Sequence, residues 1–259
     1  MSKVISLHPY PALVIDTKWN TKRCKYIVIS DLHIGLESEL CMRGITMDPG
    51  LLVDDMVKDV MNLVKFYDSD GVVILGDLKN TIGSISKQEW IEIPHFLKLL
   101  CERTKVYVVP GNHDGNIGLL TPKSVNMVSA SGLVLDDTLL LHGHTMPSSV
   151  GSSVKRIIMG HIHPVFIKNS STVSGQRVWI YMKVKKETVW SGKIGILDII
   201  VMPPFNKHLF AMSEYRYRKK STCPLIRKVL EYNAVEAAAV LTLDGSIIGD
   251  MHILQSVIG

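Results

Sequence analysis

The chain has 259 residues, 46% apolar and 20% charged, a globular balance that excludes a disordered or collagen-like polymer. It holds no run of about eighteen apolar residues, so a membrane-spanning helix is not expected, and its start, MSKVISLHPY, has no basic-then-apolar signal pattern. A net charge of +5 suits a phosphate-bearing partner, while Cys24, Cys41, Cys101 and Cys223 form no C-x-x-C pair, so reduced thiols and a cytoplasmic setting are expected.

In chain order, the first strand-like run is 26–30 (YIVIS), followed by 72–75 (VVIL), 106–109 (VYVV), 138–141 (TLLL) and 156–159 (RIIM). Between the first two, Leu52, Met56, Val60, Leu63, Val64 and Tyr67 recur at three- and four-residue steps. That spacing predicts a helix over 51–67 packed on a sheet, and a second helix is expected over 87–101. Alternation of strand and helix predicts an α/β layered domain with a largely buried sheet. From 178 to 202 the strands follow one another without helices, which predicts a second sheet or an antiparallel edge. The stretch 214–228 is polar and basic, and Leu243-Asp244-Gly245-Ser246 marks a hairpin. With no internal repeat and no low-complexity tract, residues 1–259 are expected to form one domain.

Each of the five strand-like runs ends in a glycine-flanked cluster of Asp, Asn or His. The first ends in Asp31 and His33, the second in Asp77, and the third in Asn112-His113-Asp114; the fourth brings His142 and His144, and the fifth His161 and His163. Six of the ten histidines fall in these short stretches. A lone Asp-x-His is common; an ordered series of five such endings is not. In open α/β sheets functional groups gather outside the carboxyl ends of the strands, so the five segments are expected to converge. Imidazoles, carboxylates and an amide oxygen make a mixed nitrogen and oxygen ligand set. Without cysteine it favours manganese, iron or zinc, and the histidines disfavour magnesium and calcium. Seven candidate ligands suit two ions that share a carboxylate, ~3.5–4 Å apart. Asp31 and His33 are two residues apart, as are His161 and His163, so on a continuing strand each pair faces one side.

The ordered motifs D-x-H, G-D, G-N-H-D, H-G-H and G-H-x-H, spread over residues 26–163, resemble those of the calcineurin-type metallophosphoesterases. SDLHIGLE, GDLKN, the Glu89-Trp90 pair, MPPFN and the late LTLDGSIIG are similar to the archaeal branch of SbcD-related, ICC-like phosphoesterases. Bacterial relatives of that branch are associated with DNA ligase and helicase genes. The resemblance implies a four-layer α-β-β-α sandwich of two mixed sheets flanked by helices, with a family-specific C-terminal part at 178–259. It implies that Asp31, His33 and His163 hold a first metal, that Asp77 bridges, and that Asn112, His142 and His161 hold a second. His113 is then the acid or phosphate-facing group, with Asp114 orienting its ring. The implied cofactors are two divalent ions, manganese first, with iron, zinc, nickel or magnesium as alternatives. Many members carry an Arg or His shortly after the bridging Asp. Here Lys79 and Asn80 follow and, with His144, are candidate substrate contacts.

Tyr215 and Tyr217 interleave with Arg216 and Arg218 in the basic segment. Rings for stacking and cations for backbone phosphates are what a surface for single-stranded nucleic acid uses; a solvated linker is the bland alternative. The expected activity is a manganese-dependent phosphodiesterase acting on DNA or RNA, of endonuclease type on single strands. Small or cyclic nucleotides are the alternative substrates, and a non-catalytic scaffold for a repair partner is the alternative outside enzymology. Beyond nucleic acid, the partners expected are a DNA-repair helicase or ligase and a second copy of the chain.

Overall fold

The computed structural model describes residues 2–19, 22–45, 48–168, 171–212 and 223–258. Two mixed sheets lie face to face. The first runs in the order β1 (Lys3–Ser6), β2 (Leu13–Trp19), β3 (Lys22–Ser30), β4 (Gly71–Leu75), β5 (Lys105–Val109) and β6 (Asn126–Met127). Within it β3 to β6 are parallel, and the β1–β2 hairpin adds an antiparallel edge. The second is built from β7 (Leu133–Leu135), β8 (Thr138–Leu141), β9 (Arg156–Met159), β10 (Val178–Lys185), β11 (Ile196–Val201), β12 (Val235–Thr242) and β13 (Ile247–Asp250), in the spatial order β13-β12-β10-β11-β9-β8-β7. There β8, β9 and β11 are parallel and the remaining pairings antiparallel.

The period of two along the strands sorts the side chains into layers. Ile27 and Ile29 of β3, Val72 and Ile74 of β4, and Val106 and Val108 of β5 pack against the helices outside the first sheet. Their alternates Tyr26, Val28, Val73, Leu75 and Val109 meet Leu140, Ile158, Trp179 and Ile200 of the second sheet. Burial on both faces is why these strands read as continuous apolar runs rather than alternating ones. The outer face of the second sheet, with Ile157, Met159, Ile180, Leu197 and Ile199, is covered by the helices Pro224–Glu231 and Leu254–Ile258. The layering is helix, sheet, sheet, helix.

Three helices serve the first sheet: α1 (Leu36–Met42), α2 (Pro49–Tyr67) and α3 (Lys87–Cys101). The α2 start is set by Asp48, whose carboxylate accepts the Gly50 and Leu51 amides, and by Pro49 at the first turn. The α3 start is a capping box: Ser86 accepts the Glu89 amide and Glu89 accepts the Ser86 amide. The two long helices lie close to the spans expected from periodicity. The hairpin at 243–246 joins β12 to β13, as its turn chemistry predicts.

The pattern of runs leaves two things open. The five runs are divided between the sheets: β3, β4 and β5 belong to the first, and β8 and β9 to the second. A sheet assignment needs pairing partners, which local apolar runs do not name. The β1–β2 hairpin and the short α1 also went unpredicted, because β1 is half-exposed and α1 is too short for a helical period to register. No disulfide joins the cysteines, and no helix among the described residues is long and apolar enough to cross a membrane.

Candidate metal centre

The two sheets bring their carboxyl ends to one place. The Asp31 amide donates to the Gly76 carbonyl at 3.1 Å, tying the end of β3 to the end of β4. Across the sheets, the His161 amide donates to the Asp31 carboxylate at 3.1 and 3.2 Å, and His142 Nδ1 meets the Leu75 carbonyl at 2.9 Å. Asp31, His33, Asp77 and His142 are buried completely or nearly so.

Five of the candidate ligands have left-handed backbone: Asp31 at φ +56°, His33 at +44°, Asp77 at +51°, His161 at +72° and His163 at +51°. Non-glycine residues avoid this region, at about 1–2 kcal/mol each, and such outliers gather at functional sites. The consequence corrects the strand-parity expectation for Asp31/His33 and His161/His163. The strands stop at Ser30 and Met159, and it is a left-handed turn, not an extended strand, that points each pair inward. Two glycines make the approach possible. A Cβ on Gly111 would lie 2.3 Å from Asp77 Oδ1, and one on Gly160 would lie 2.4 Å from Asp31 Oδ2.

Ligand atoms of Asp31, His33, Asp77 and His163 all lie within 4.8 Å of one another, as do those of Asp77, His142 and His161. Asp77 belongs to both groups. Its Oδ2 is 3.5 Å from His33 Nε2 and 3.3 Å from His142 Nε2, while its Oδ1 accepts the His113 amide at 2.9 Å. His163 Nε2 lies 3.0 Å from Asp31 Oδ1 and 3.3 Å from His33 Nε2. In the second group His142 Nε2 is 3.2 Å from Asn112 Oδ1 and 3.1 Å from His161 Nδ1. The structure thus brings together all seven residues to which the resemblance gave metal roles, in two clusters joined at Asp77.

The donor chemistry fits divalent cations. The Leu75 carbonyl can only accept, so His142 carries a proton on Nδ1 and, when neutral, keeps its Nε2 lone pair for the site. Burial disfavours charge on His142, but the Asp77 and Asp31 carboxylates outweigh it and raise the imidazole to about 9. The pocket therefore draws positive charge to itself. Burial also works against ionised Asp77, yet the His142, His33 and His113 imidazoles hold it well below the usual carboxylate range. Burial, then His163, keeps His33 neutral, and burial with His142 brings His161 down to about 4. Neutral imidazoles and ionised carboxylates are the forms that bind metal.

His113 stands beside this pair of clusters, with Nε2 3.9 Å from Asp77 Oδ2. Its orienting partner is not Asp114, contrary to the expectation. Nδ1 meets the backbone carbonyl of Asn80, whereas the Asp114 carboxylate lies beneath the turn and accepts the amides of Leu78, Lys79 and Gly111. A carboxylate two atoms from its own backbone reaches neighbouring amides more readily than an adjacent ring. Asp114 is a turn-former for both loops.

The candidate substrate contacts divide. Lys79 is fully buried with Nζ on the Thr81 and Ile82 carbonyls, so it does not face a substrate. Asn80 serves through its backbone, and its buried Oδ1 has no hydrogen-bond partner among the described residues. His144 sits with its ring centroid 5.4 Å from that of His142. Tyr215, Arg216, Tyr217 and Arg218 lie outside the described residues. One contributor went without a role in the sequence reading. Glu89, fully buried, accepts the Asn80, Thr81 and Ser86 amides and so sets the loop whose carbonyl holds His113. The S-x-x-E capping signature was its visible signal.

Residues 24–150 match the family model described as calcineurin-like phosphoesterase. No curated protein matches the chain in sequence. Among solved structures it is similar to the nuclease MPE of Pseudomonas putida, at 18% identity and a TM-score of 0.51, covering 80% of this chain and 88% of that one. It is also similar to Yfce, a phosphoesterase from E. coli, at 15% identity and a TM-score of 0.38, covering 90% and 99%. The family match ends before His161 and His163, which the second sheet returns to the cluster around Asp31 and Asp77. Over residues 24–150, just under half of its length, the chain thus matches the calcineurin-like phosphoesterase model, on a fold like that of the nuclease MPE.

Proposed function

We propose that this protein is a hydrolase, a manganese-dependent phosphodiesterase that cuts nucleic-acid strands, of the SbcD-related archaeal branch. The observation that carries the two-ion reading is Asp77, one carboxylate common to two ligand clusters. Support for a nucleic-acid substrate comes from the net charge of +5 and from the interleaved rings and cations at 215–218. In this reading residues 1–259 act as one cytoplasmic domain, with a DNA-repair helicase or ligase as protein partner.

When bound, a pair of divalent cations supplies a water nucleophile of lowered pKa and neutralises charge on the phosphoryl oxygens. Asp31, His33 and His163 would hold one cation, Asn112, His142 and His161 the other, and Asp77 both. His113 Nδ1 is committed as donor to the Asn80 carbonyl, so Nε2 is the atom that delivers a proton to the leaving oxygen. Burial of the site by β3, β4, β8 and β9 keeps these partners in place before substrate arrives.

The test is metal analysis followed by a substrate panel in manganese: bis-p-nitrophenyl phosphate, cyclic nucleotides, and labelled single- and double-stranded DNA and RNA. The expected result is chelator-sensitive cleavage of the diester and of single strands. Absence of both bound metal and hydrolysis would sink the enzymatic reading. Turnover of cyclic nucleotides without strand cleavage would move the substrate to small nucleotides.

A further inference from the structure

A cleft of about 400 Å³ is lined by Pro9, Gln176, Arg177, Lys207, Leu243 and Asp244. Its walls are fastened to the ligand-bearing segments. Val165, two residues past His163, bridges to Arg177. Arg177 Nη1 donates to the Pro204 and Phe205 carbonyls at 2.7 and 3.2 Å. The Phe205 amide donates to the Ser30 carbonyl at 2.8 Å, and Asn206, fully buried, donates Nδ2 to the Leu32 carbonyl at 2.8 Å. The MPPFN motif thus ties one cleft wall to the turn that carries Asp31 and His33.

The cleft is built for an anion. Arg177 spends the hydrogens of one nitrogen on the two carbonyls, which leaves three of its five N–H donors. Among the described residues no carboxylate pairs with it. Burial brings its guanidinium down to about 10, which leaves it charged at neutral pH. A largely buried cation without a counter-charge is unfavourable until an anion arrives. Among the described residues Lys207 pairs with Asp55, at 3.5 Å between exposed groups, a contact worth little. The Asp244 carboxylate is turned back onto the Thr242 hydroxyl and the Ser246 amide. Pro9 and Leu243 add apolar surface.

We propose that this cleft is a phosphate subsite, in which Arg177 and Lys207 hold a backbone phosphate of the strand whose scissile diester lies at the metal centre. The proposal rests on the nucleic-acid reading above. From His163 through Val165 to its bridge partner Arg177 is about 10 Å of backbone, more than a single nucleotide of an extended strand spans. A phosphate there is part of the same strand, and a mononucleotide is too short to engage both places.

The experiment compares kcat/KM for an oligothymidylate of about 15 nucleotides with that for bis-p-nitrophenyl phosphate. It uses the full chain in manganese and the variants Lys207→Gln and Arg177→Lys. Lys207 is exposed, so folding is not at stake, and Arg177→Lys keeps a donor for the Pro204 and Phe205 carbonyls. In Lys207→Gln the oligonucleotide-to-diester ratio is expected to fall about tenfold, and the salt slope of oligonucleotide binding to become shallower by about 0.7. Arg177→Lys, which loses the fork geometry, is expected to lower the ratio as well. If the wild-type protein cuts both substrates and the variants keep its ratio, the subsite is refuted while the nuclease reading stands. If the wild type cuts only the small diester, both fall together.

Discussion

Gly111→Ala tests whether the site depends on the closeness of its turns. Gly111 has no left-handed φ, so alanine is conformationally acceptable there. The difficulty is space, since the new Cβ would sit 2.3 Å from Asp77 Oδ1 and 2.5 Å from the Asp77 amide, where real contacts do not fall below 3.0 Å. One of the two turns must give by about 0.7 Å. Asp77 resists, because its Oδ1 accepts the His113 amide and its carbonyl accepts the His33 amide at 2.9 Å. Overpacking of this kind costs about 1–3 kcal/mol, or roughly 2–12 °C of Tm for a chain of this size. Displacing the shared carboxylate by a large fraction of an ångström is expected to lower turnover about 10²-fold. The assay is calorimetry in chelator together with manganese-dependent hydrolysis of bis-p-nitrophenyl phosphate. Gly118→Ala is the control: nothing lies within 4 Å of its added Cβ, and it should stay within about 0.5 kcal/mol of wild type. Wild-type turnover and metal content in Gly111→Ala would refute the reasoning.

Asp77→Ala removes the ligand common to both clusters, so metal stoichiometry measured by atomic emission should fall along with activity. His113→Ala should slow turnover ~10²–10⁴-fold yet leave both metals in place; a variant that arrives metal-free would show that His113 holds metal instead. Glu89→Gln replaces acceptors that the Asn80, Thr81 and Ser86 amides use, loosening the carbonyl that orients His113. Its kcat should drop more than its metal affinity, and equal losses in both would assign Glu89 to the metal centre itself. Asp114→Ala strands three amides and is expected to lower stability by about 2–4 kcal/mol in urea titrations, whereas a ring-orienting role would move only kcat.

The candidate metal ligands could be read from the chain because each is local: an apolar run, a glycine, and then an Asp, Asn or His. Asn112-His113-Asp114 is the clearest case, and its neighbours in the series gave it meaning. Its third member shows the limit. A carboxylate next to a histidine in sequence was read as its partner, but a short side chain finds the nearest unpaired amides first, here those of residues 78, 79 and 111. The partner His113 does have is a backbone carbonyl, which every residue possesses and no sequence marks.

By itself, then, the sequence determined the layered α/β class, both long helices and which strand ends carry candidate ligands, since helix and strand periods and glycine breaks are properties of neighbours along the chain. Tertiary structure alone decided how the five runs divide between two sheets, which residues adopt left-handed backbone, and where Lys79 points. It also decided that Arg177 meets Pro204 and Phe205, and through them the Asp31 turn. Those outcomes depend on which surfaces bury each other, and contacts set by tertiary packing, such as that of Phe205 with Ser30, leave no local period to read.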